Sequence, residues 1–363
     1  MRRLAAAIAL LLACAPAPAQ SLDPVVAAAL TGTRTPGMAA LVIRNGAVAD
    51  QAVRGVRRND SPTPAEINDV WLIGSDAKAM TAALIARLVD RGKLSWNTPL
   101  SNLLPDMAPN MRPEYQSVTL VQLLSHTSGL PHDISDMRFF ATFYEDSRPL
   151  PQQRATYIAR ALSEPPVALP GTTFSYSNTG YIIAAVIAER LAGTSYEELM
   201  RREVFTPLGM ASAGFGPTRE GEPAGHHDGH PATAPQDANP LMFAPAGNIH
   251  MSVGDWAKFC MDQLAGAHGR GKLLSFASYR MMQTAQGSSQ NGLGWGVMDS
   301  VLGRKGPALT HSGSDGNWYA VVVLFPQTGN GVLVAANAGE DMGADKAAKA
   351  VVAAVLPTLA PAK

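Results

Sequence analysis

Ile73-Gly74-Ser75-Asp76-Ala77-Lys78 runs into Ala79-Met80-Thr81-Ala82-Ala83-Leu84-Ile85-Ala86-Arg87-Leu88-Val89, and Gly92 follows shortly after. The second stretch is apolar and made of helix formers, so it predicts a helix that Gly92 stops. Residues three apart share a helix face, which sets the Lys78 amine beside the Ser75 hydroxyl. A free serine hydroxyl holds its proton too tightly to attack a carbonyl. A neighbouring amine takes that proton once burial or another cation depresses the amine's pKa. A helix N-terminus adds unpaired N–H groups and a positive end beside the reacting oxygen. The pattern points to acyl transfer through a covalent intermediate. The Ser-x-x-Lys tetrad occurs once. Composition alone produces about half an occurrence, and a helix cap with a solvated lysine reads the same way, so the tetrad needs companions.

Composition narrows the field. The formal charge is +0, which offers no basic surplus for nucleic acid or an anionic membrane. Charged residues are 16% and hydrophobic residues 46%, the balance of a core-rich globular chain. The 363 residues suit two domains or one large domain with an insertion.

The N-terminus reads as a signal peptide over residues 1–19. Arg2 and Arg3 precede the apolar run Leu4 to Ala13, which is too short to span a bilayer. Ala15 to Ala19 supplies small residues for cleavage before Gln20. A competing reading takes Leu11-Leu12-Ala13-Cys14 as a lipobox, with a lipid anchor at Cys14. Either way the protein is expected to be exported, in the periplasm, with no later membrane span. Removal of the signal leaves Cys260 as the sole cysteine, expected to pack in a helix from Val253 to Leu264.

Along the mature chain, Leu22 to Leu30 reads as a helix. Met38 to Arg44 and Ala47 to Gly55 read as a hairpin, since Asn45-Gly46 favours a type I′ turn. The middle reads as helical: Leu120 to Leu124, Gln153 to Leu162, Gly180 to Ala192 and Tyr196 to Val204. Gly and Pro crowd Gly214 to Pro245, which reads as a surface excursion. Strands return at Ala308 to Ser312, Trp318 to Phe325 and Val332 to Asn337, and a helix from Asp345 to Leu356 follows. One domain over 20–363 is expected, its α/β part built from both chain ends and its helical insertion lying roughly over 95–250. The Ser75 helix would then floor a cleft between the two parts.

Two further elements carry chemistry. In Tyr176-Ser177-Asn178 the phenol can relay protons if nearby cations lower its pKa, and the amide can hold a carbonyl and orient a lysine. In His311-Ser312-Gly313-Ser314 the glycine lets a substrate backbone approach closely, and the Ser314 N–H can join that of Ser75 as an oxyanion donor.

The order of these elements resembles the β-lactamase-related serine hydrolases: class C β-lactamases, D-Ala-D-Ala carboxypeptidases, D-aminopeptidases and carboxylesterases. The matching stretches are Ile73 to Lys78, Leu123-Leu124-Ser125-His126-Thr127-Ser128-Gly129-Leu130, Phe174 to Asn178, Pro245-Ala246-Gly247-Asn248 and His311 to Gly313. The resemblance implies the serine β-lactamase/penicillin-binding-protein-like fold, an α/β (α+β) arrangement with an antiparallel sheet flanked by helices plus an all-helical region. It implies Ser75 as nucleophile, Lys78 as its base, Tyr176 as second base and acid, and Asn178 as the residue that positions the acyl group. It further implies an oxyanion hole from the Ser75 and Ser314 N–H groups, and His311 in the place of a binding Lys or His. No cofactor or metal is implied. The substrate would be a small ester, amide or peptidoglycan-derived peptide.

Two departures bear on substrate. β-Lactamases usually start the third motif with Lys, whereas His311 has an ordinary pKa of about 6.5 and is mostly neutral near pH 7. That favours the esterase and peptidase members over a class C-type β-lactamase. Asp76 replaces a residue that is commonly uncharged; it reads as a first-turn helix acid, or else as a cleft-mouth charge that selects against anions. A protein that binds peptidoglycan without catalysis is the rival from another class, and intact Ser75, Lys78 and Tyr176 speak against it. His226-His227-Asp228-Gly229-His230 reads as a solvated loop rather than a metal site. Ser125-His126 reads as a structural turn, and His250, Trp256 and Trp318 as packing or cleft-wall residues. The chain holds no Gly-x-Ser-x-Gly elbow and no phosphate-binding glycine loop.

Overall fold

The fold is described from a computed structural model, for residues 21–287 and 289–359. The expected signal peptide over residues 1–19 and the expected lipidation site Cys14 lie outside the described residues. The described chain opens with helix α1 (Leu22–Leu30) and the hairpin of β1 (Gly37–Arg44) and β2 (Ala47–Gly55). Asn45 and Gly46 both take positive φ, 52° and 76°, as a type I′ turn requires. The short strand β3 (Trp71–Leu72) leads through a 3₁₀ turn at Gly74–Asp76 into α2 (Ala77–Asp90). The helices α3 (Leu120–Leu124), α4 (Leu150–Ala161) and α5 (Asn178–Ala192) follow. Then come β4 (Gly214–Phe215), β5 (Ile249–Met251) and α6 (Val253–Gly266). The chain closes with β6 (Gly296–Val301), β7 (Arg304–Ser314), β8 (Tyr319–Phe325), β9 (Asn330–Ala336) and α7 (Ala344–Val355).

The main sheet has six strands in the order β2-β1-β9-β8-β7-β6, each pair antiparallel. Its central strands are apolar at nearly every position because both faces are covered. In β1, Ala39, Leu41 and Ile43 enter the core on the α2 and α6 side. The alternating Met38, Ala40 and Val42 enter a second core with α1 and α7. β8 divides likewise, with Ala320, Val322 and Leu324 on one face and Tyr319, Val323 and Phe325 on the other. Each fully buried Val, Leu or Ile contributes about 1.5–3 kcal/mol, so both interfaces hold the sheet. β2 is mostly exposed, as suits an edge.

Eleven of the fourteen α2 residues are buried, so α2 is a central helix packed on all sides rather than an amphipathic surface one. It packs on α5 and on the Ala244–Gly247 turn. It ends at Asp90 with Arg91 as its cap, and Gly92 takes the left-handed conformation at φ 66°.

Three expectations need correction. The Gly214 to Pro245 excursion is not wholly superficial. It contains β4, which pairs with β5, and a buried segment at Met242–Pro245. The strand at Ala308 is longer than expected and pairs with β6, which the sequence reading lacked. β6 carries exposed Asp299 and Ser300 at the sheet edge, so no clean apolar alternation marks it.

Candidate active site

Ser75 sits on the 3₁₀ turn just ahead of α2 rather than in the helix itself. β7 crosses directly against this turn. A Cβ on Gly313 would lie 2.1 Å from the Ile73 carbonyl oxygen and 2.5 Å from the Ser75 nitrogen. Gly74 has φ 52°, and a Cβ there would lie 2.7 Å from the Ser314 nitrogen. The two glycines therefore let two backbones touch. The space that Gly313 leaves is filled by the chain's own Ser75 turn, not by a substrate backbone, which corrects the sequence expectation. The contact brings the Ser314 backbone beside that of Ser75.

Lys78 is fully buried one helical turn further on. Its Nζ lies 2.9 Å from Ser75 Oγ, 2.7 Å from Asn178 Oδ1 and 2.5 Å from the Ala246 carbonyl oxygen. Burial pushes its pKa down to about 7, although the charges of Asp133 and Asp76 pull the other way. A neutral amine has two N–H donors and one lone pair. The two carbonyl oxygens take the two donors, and the lone pair is left for the Ser75 hydroxyl proton. Thr81 fixes the carbonyl side of this arrangement: its hydroxyl lies 2.7 Å from both the Pro245 carbonyl oxygen and Tyr196 OH.

Asn178 is the first residue of α5, whose N-cap Ser177 accepts from the Gly180 N–H. The Ser177 hydroxyl donates to the Pro131 carbonyl at 2.7 Å, and the Asn178 N–H donates to the His132 carbonyl at 2.9 Å. The Asn178 amide nitrogen donates to Asp133 Oδ2 at 3.1 Å, which fixes its oxygen toward Lys78. The Tyr176 ring centroid lies 4.9 Å from Lys78 Nζ. Burial pushes the phenol pKa up, partly offset by a hydrogen bond to Ser75. Tyr176 is therefore a neutral phenol, contrary to the expectation that nearby cations lower its pKa.

His126 is a residue whose contribution the sequence reading missed. It is a turn residue as expected, with φ 60°, and its ring stacks on Tyr176 at 4.3 Å and 24°. Its Nδ1 accepts the Ser177 N–H at 3.0 Å, and its carbonyl accepts the Ser175 N–H at 2.8 Å. Burial holds its pKa well below the usual value, so the neutral ring clamps the turn that carries both Tyr176 and Asn178. The apolar side of the ring gives no period or spacing that a sequence could show; only its place in Ser125 to Leu130 marked it.

His311 faces the cleft from β7, with its Nδ1 2.9 Å from the Ser312 carbonyl. Burial, then the Lys78 charge, pushes its pKa down to about 3, further toward neutral than expected. Asp76 is buried at 2% exposure, and neither carboxyl oxygen has a hydrogen-bond partner among the described residues. It sits in the first turn as expected, but buried rather than at the cleft mouth, and burial pushes its pKa well up. Cys260 is buried as expected, as are Trp256 and Trp318.

Two cavities lie near this cluster. A small one of about 230 Å³ is lined by Ser75, Asn178, Asp133 and Ser314, with Phe140 and Phe243 on its apolar wall. A larger groove of about 1080 Å³ starts at Tyr176 and His311 and runs past Thr310 and Val321 to α7. The His226 to His230 stretch lies elsewhere. His226 is buried rather than solvated, with Nδ1 2.7 Å from the Asn337 carbonyl and Nε2 accepting the Asn59 N–H. His227, Asp228 and Asp341 gather at the surface, all exposed.

The model of the Beta-lactamase family matches residues 22–356. Penicillin-binding protein 4 from Amycolatopsis lactamdurans is 28% identical over 84% of this chain and 81% of its own length. The penicillin-binding protein PbpX of Bacillus subtilis is 30% identical over 71% of this chain and 61% of its own. Protein flp of Staphylococcus aureus is 25% identical over 88% of this chain and 62% of its own. The chain thus spans about three fifths of the length of the latter two. Among solved structures, an octameric penicillin-binding protein homologue from Pyrococcus abyssi superposes with a TM-score of 0.76 at 25% identity, covering 93% of this chain and 77% of that one. SurE, solved with D-Leu, gives 0.73 at 25% identity, covering 93% and 74%. The mixed fold, with its antiparallel sheet and many helices, is that of the serine β-lactamases and penicillin-binding proteins, and the chain belongs to the Beta-lactamase family.

Proposed function

We propose that the protein is a serine hydrolase that cleaves an ester or amide through an acyl–Ser75 intermediate. The observation that carries this reading is the buried Lys78 amine, 2.9 Å from Ser75 Oγ and with a pKa near 7. The neutral amine takes the Ser75 hydroxyl proton as Oγ bonds to the substrate carbonyl carbon. The carbonyl electron pair moves to oxygen, where the Ser75 and Ser314 N–H groups would receive it. Collapse expels the alkoxide or amine, which is protonated from the Lys78 ammonium through the Tyr176 phenol. Water then loses a proton to the same pair and attacks the acyl carbon. Ser75 leaves with a proton, and the sum is substrate plus water to acid plus alcohol or amine.

A neutral His311 offers no permanent cation for a β-lactam carboxylate, so the reading favours the esterase and peptidase classes over β-lactamase. The free amino acid held by SurE keeps amino-acid esters and amides among the substrates to try. Export, with removal of residues 1–19 or lipidation at Cys14, and one catalytic domain over 20–363 are part of the same proposal. The test is hydrolysis of p-nitrophenyl butyrate by the mature protein beside Ser75→Ala. The expected loss is about 10⁴-fold or more, with an acyl adduct on Ser75 seen by mass spectrometry in the native protein alone. Equal turnover by pure Ser75→Ala sinks the assignment.

A further inference from the structure

The larger groove changes faces of the main sheet. On β7, Thr310 and Ser312 stand opposite Val323 and Val321 on the α7 face, whereas His311 stands opposite Val322 on the α2 face. Residues of both faces line the groove, so it passes over the edge of β7. That edge is open because β6 starts at Gly296, opposite Thr310, and leaves His311 to Ser314 with no β6 residue beside them. From Gly296 to Leu302 the groove then follows β6 for about 20 Å. Its walls there are apolar: Met298, Val301, Leu302, Val323 and, on α7, Val352 and Ala353. At about 1080 Å³ it is far larger than a short ester fills.

Two observations say what suits it. Its floor is a sheet face whose backbone groups pair between strands, so it offers apolar side chains rather than hydrogen bonds. A peptide there would leave its own amides unpaired, whereas an alkyl chain has none to satisfy. The charged residues lining the groove are Lys346 and Lys349, with no Asp or Glu, which disfavours a cationic amphiphile. The second observation is Leu302. Leu302-Gly303 turns with φ 48° and 82°, nearly matching Asn45-Gly46 at 52° and 76° in the other hairpin. Asparagine suits that left-handed position, and leucine does not. Leu302 is nevertheless there, 68% exposed, with its side chain at the far end of the groove. Strain of this kind is kept where the side chain has work to do.

We propose that this groove holds a long unbranched alkyl chain on the leaving-group side of the substrate, so that the protein cleaves short-acyl esters of long-chain alcohols. The proposal rests on the hydrolase reading, in which Tyr176 hands its proton to the leaving group. Tyr176 lines the groove, whereas Ser75, Asn178 and Ser314 line the small cavity, which leaves the acyl group about 230 Å³. The acyl–oxygen bond breaks, the alcohol leaves with the proton passed through Tyr176, and water completes the acid. The alkyl chain crosses the open edge of β7 beside His311 and runs along β6 as far as Leu302.

The experiment measures acetate release from butyl, hexyl, octyl and dodecyl acetate, each below its solubility limit. Beside it, p-nitrophenyl acetate, butyrate and octanoate vary the acyl side. For the alcohol series kcat/KM is expected to rise about twofold per added methylene, as half-burial of each provides. Lengthening the acyl group beyond butyrate is expected to bring no such rise. Leu302→Asn puts the favoured residue into the turn, so its thermal midpoint should equal or exceed the native one. Its ratio of dodecyl to hexyl acetate should nevertheless fall several-fold; a Leu302 that serves the fold alone would leave that ratio unchanged and overturn the proposed path. The native chain-length series stands as a test whether or not the variant folds. Turnover of butyrate with no gain from longer alcohols, or with the gain on the acyl side instead, overturns this inference and leaves the hydrolase reading intact. No turnover of any of these esters overturns both.

Discussion

Lys78 and Arg154 are both fully buried cationic side chains at the heart of the helical region, and they are held in opposite ways. The Arg154 guanidinium donates to the carboxylates of Glu189 and Glu197, and its Nε donates to the Met242 carbonyl at 2.9 Å. Lys78 touches only neutral oxygens, those of Ser75, Asn178 and Ala246. An arginine cannot shed its proton, so its burial demands carboxylates in contact. A lysine can shed one, and with neutral partners burial drives it to do so. Burial is common to both; the charge of the partners separates a structural cation from a base.

The comparison predicts different failures. Lys78→Met removes the proton acceptor and is expected to lower kcat/KM about 10²–10⁴-fold on an ester substrate. It is not expected to unfold the protein. The folded pKa of Lys78, about 7, lies below its ordinary value of 10.5, so the unfolded chain binds more protons between those limits. Native stability therefore rises with pH across that window, and burial of the charged form costs most below about pH 7. Lys78→Met should match or exceed the native midpoint in urea at pH 6 and lose that advantage toward pH 10. A variant that unfolds at pH 6 would show that Lys78 is a structural cation after all.

Arg154→Met should do the reverse. It leaves Glu189 and Glu197 buried without their counter-charge, which costs about 3–5 kcal/mol. Urea denaturation reads this directly. Activity per folded molecule should stay within a few-fold of native, since Arg154 hydrogen-bonds to Glu189, Glu197 and Met242 and to none of Ser75, Lys78, Tyr176 and Asn178. Glu189 is already pushed upward by burial even with Arg154 beside it, so the variant should also lose stability more steeply as pH rises.

How much of this was legible in the sequence follows the same division. The main sheet's central strands and the α2 helix were visible because burial on both faces leaves continuous apolar runs. The Ser75–Lys78 pair was visible because a three-residue spacing is local. Asn178 and His311 were candidates by residue type, and only the resemblance gave them their places, since nothing in Tyr176 to Asn178 says which lysine it meets. The Lys78 pKa was legible in direction only. Its cause, burial of the amine by parts of the chain distant in sequence, is tertiary. Edge strand β6, the burial of Asp76 and the clamp of His126 on Tyr176 were not legible, because each depends on what packs against a polar residue rather than on the residue itself. Tyr176 was read with the wrong sign for that reason: its ring meets the cation, but its burial decides the phenol.

The sharpest test converts one partner class into the other. Asn178→Asp keeps an oxygen 2.7 Å from Lys78 Nζ and gives it a charge, which is the Arg154 arrangement in miniature. An adjacent opposite charge raises an ammonium pKa by about 1–3 units. The lower end, about one unit, is expected here, because Asp133 accepts from this side chain in the native protein and would then repel it. On the proposed reading the neutral amine is the reactive form, so native kcat/KM should fall on the acid side of about pH 7 with a single limb. His311 adds no second limb between pH 5 and 8, since it stays neutral throughout. In Asn178→Asp the limb should move up by about one unit, with a rate about tenfold lower at pH 6 that recovers toward pH 9. A limb that stays put while the rate falls uniformly would mean that Asn178 acts on the substrate alone, and that burial sets the Lys78 pKa without help from the neutrality of its partners.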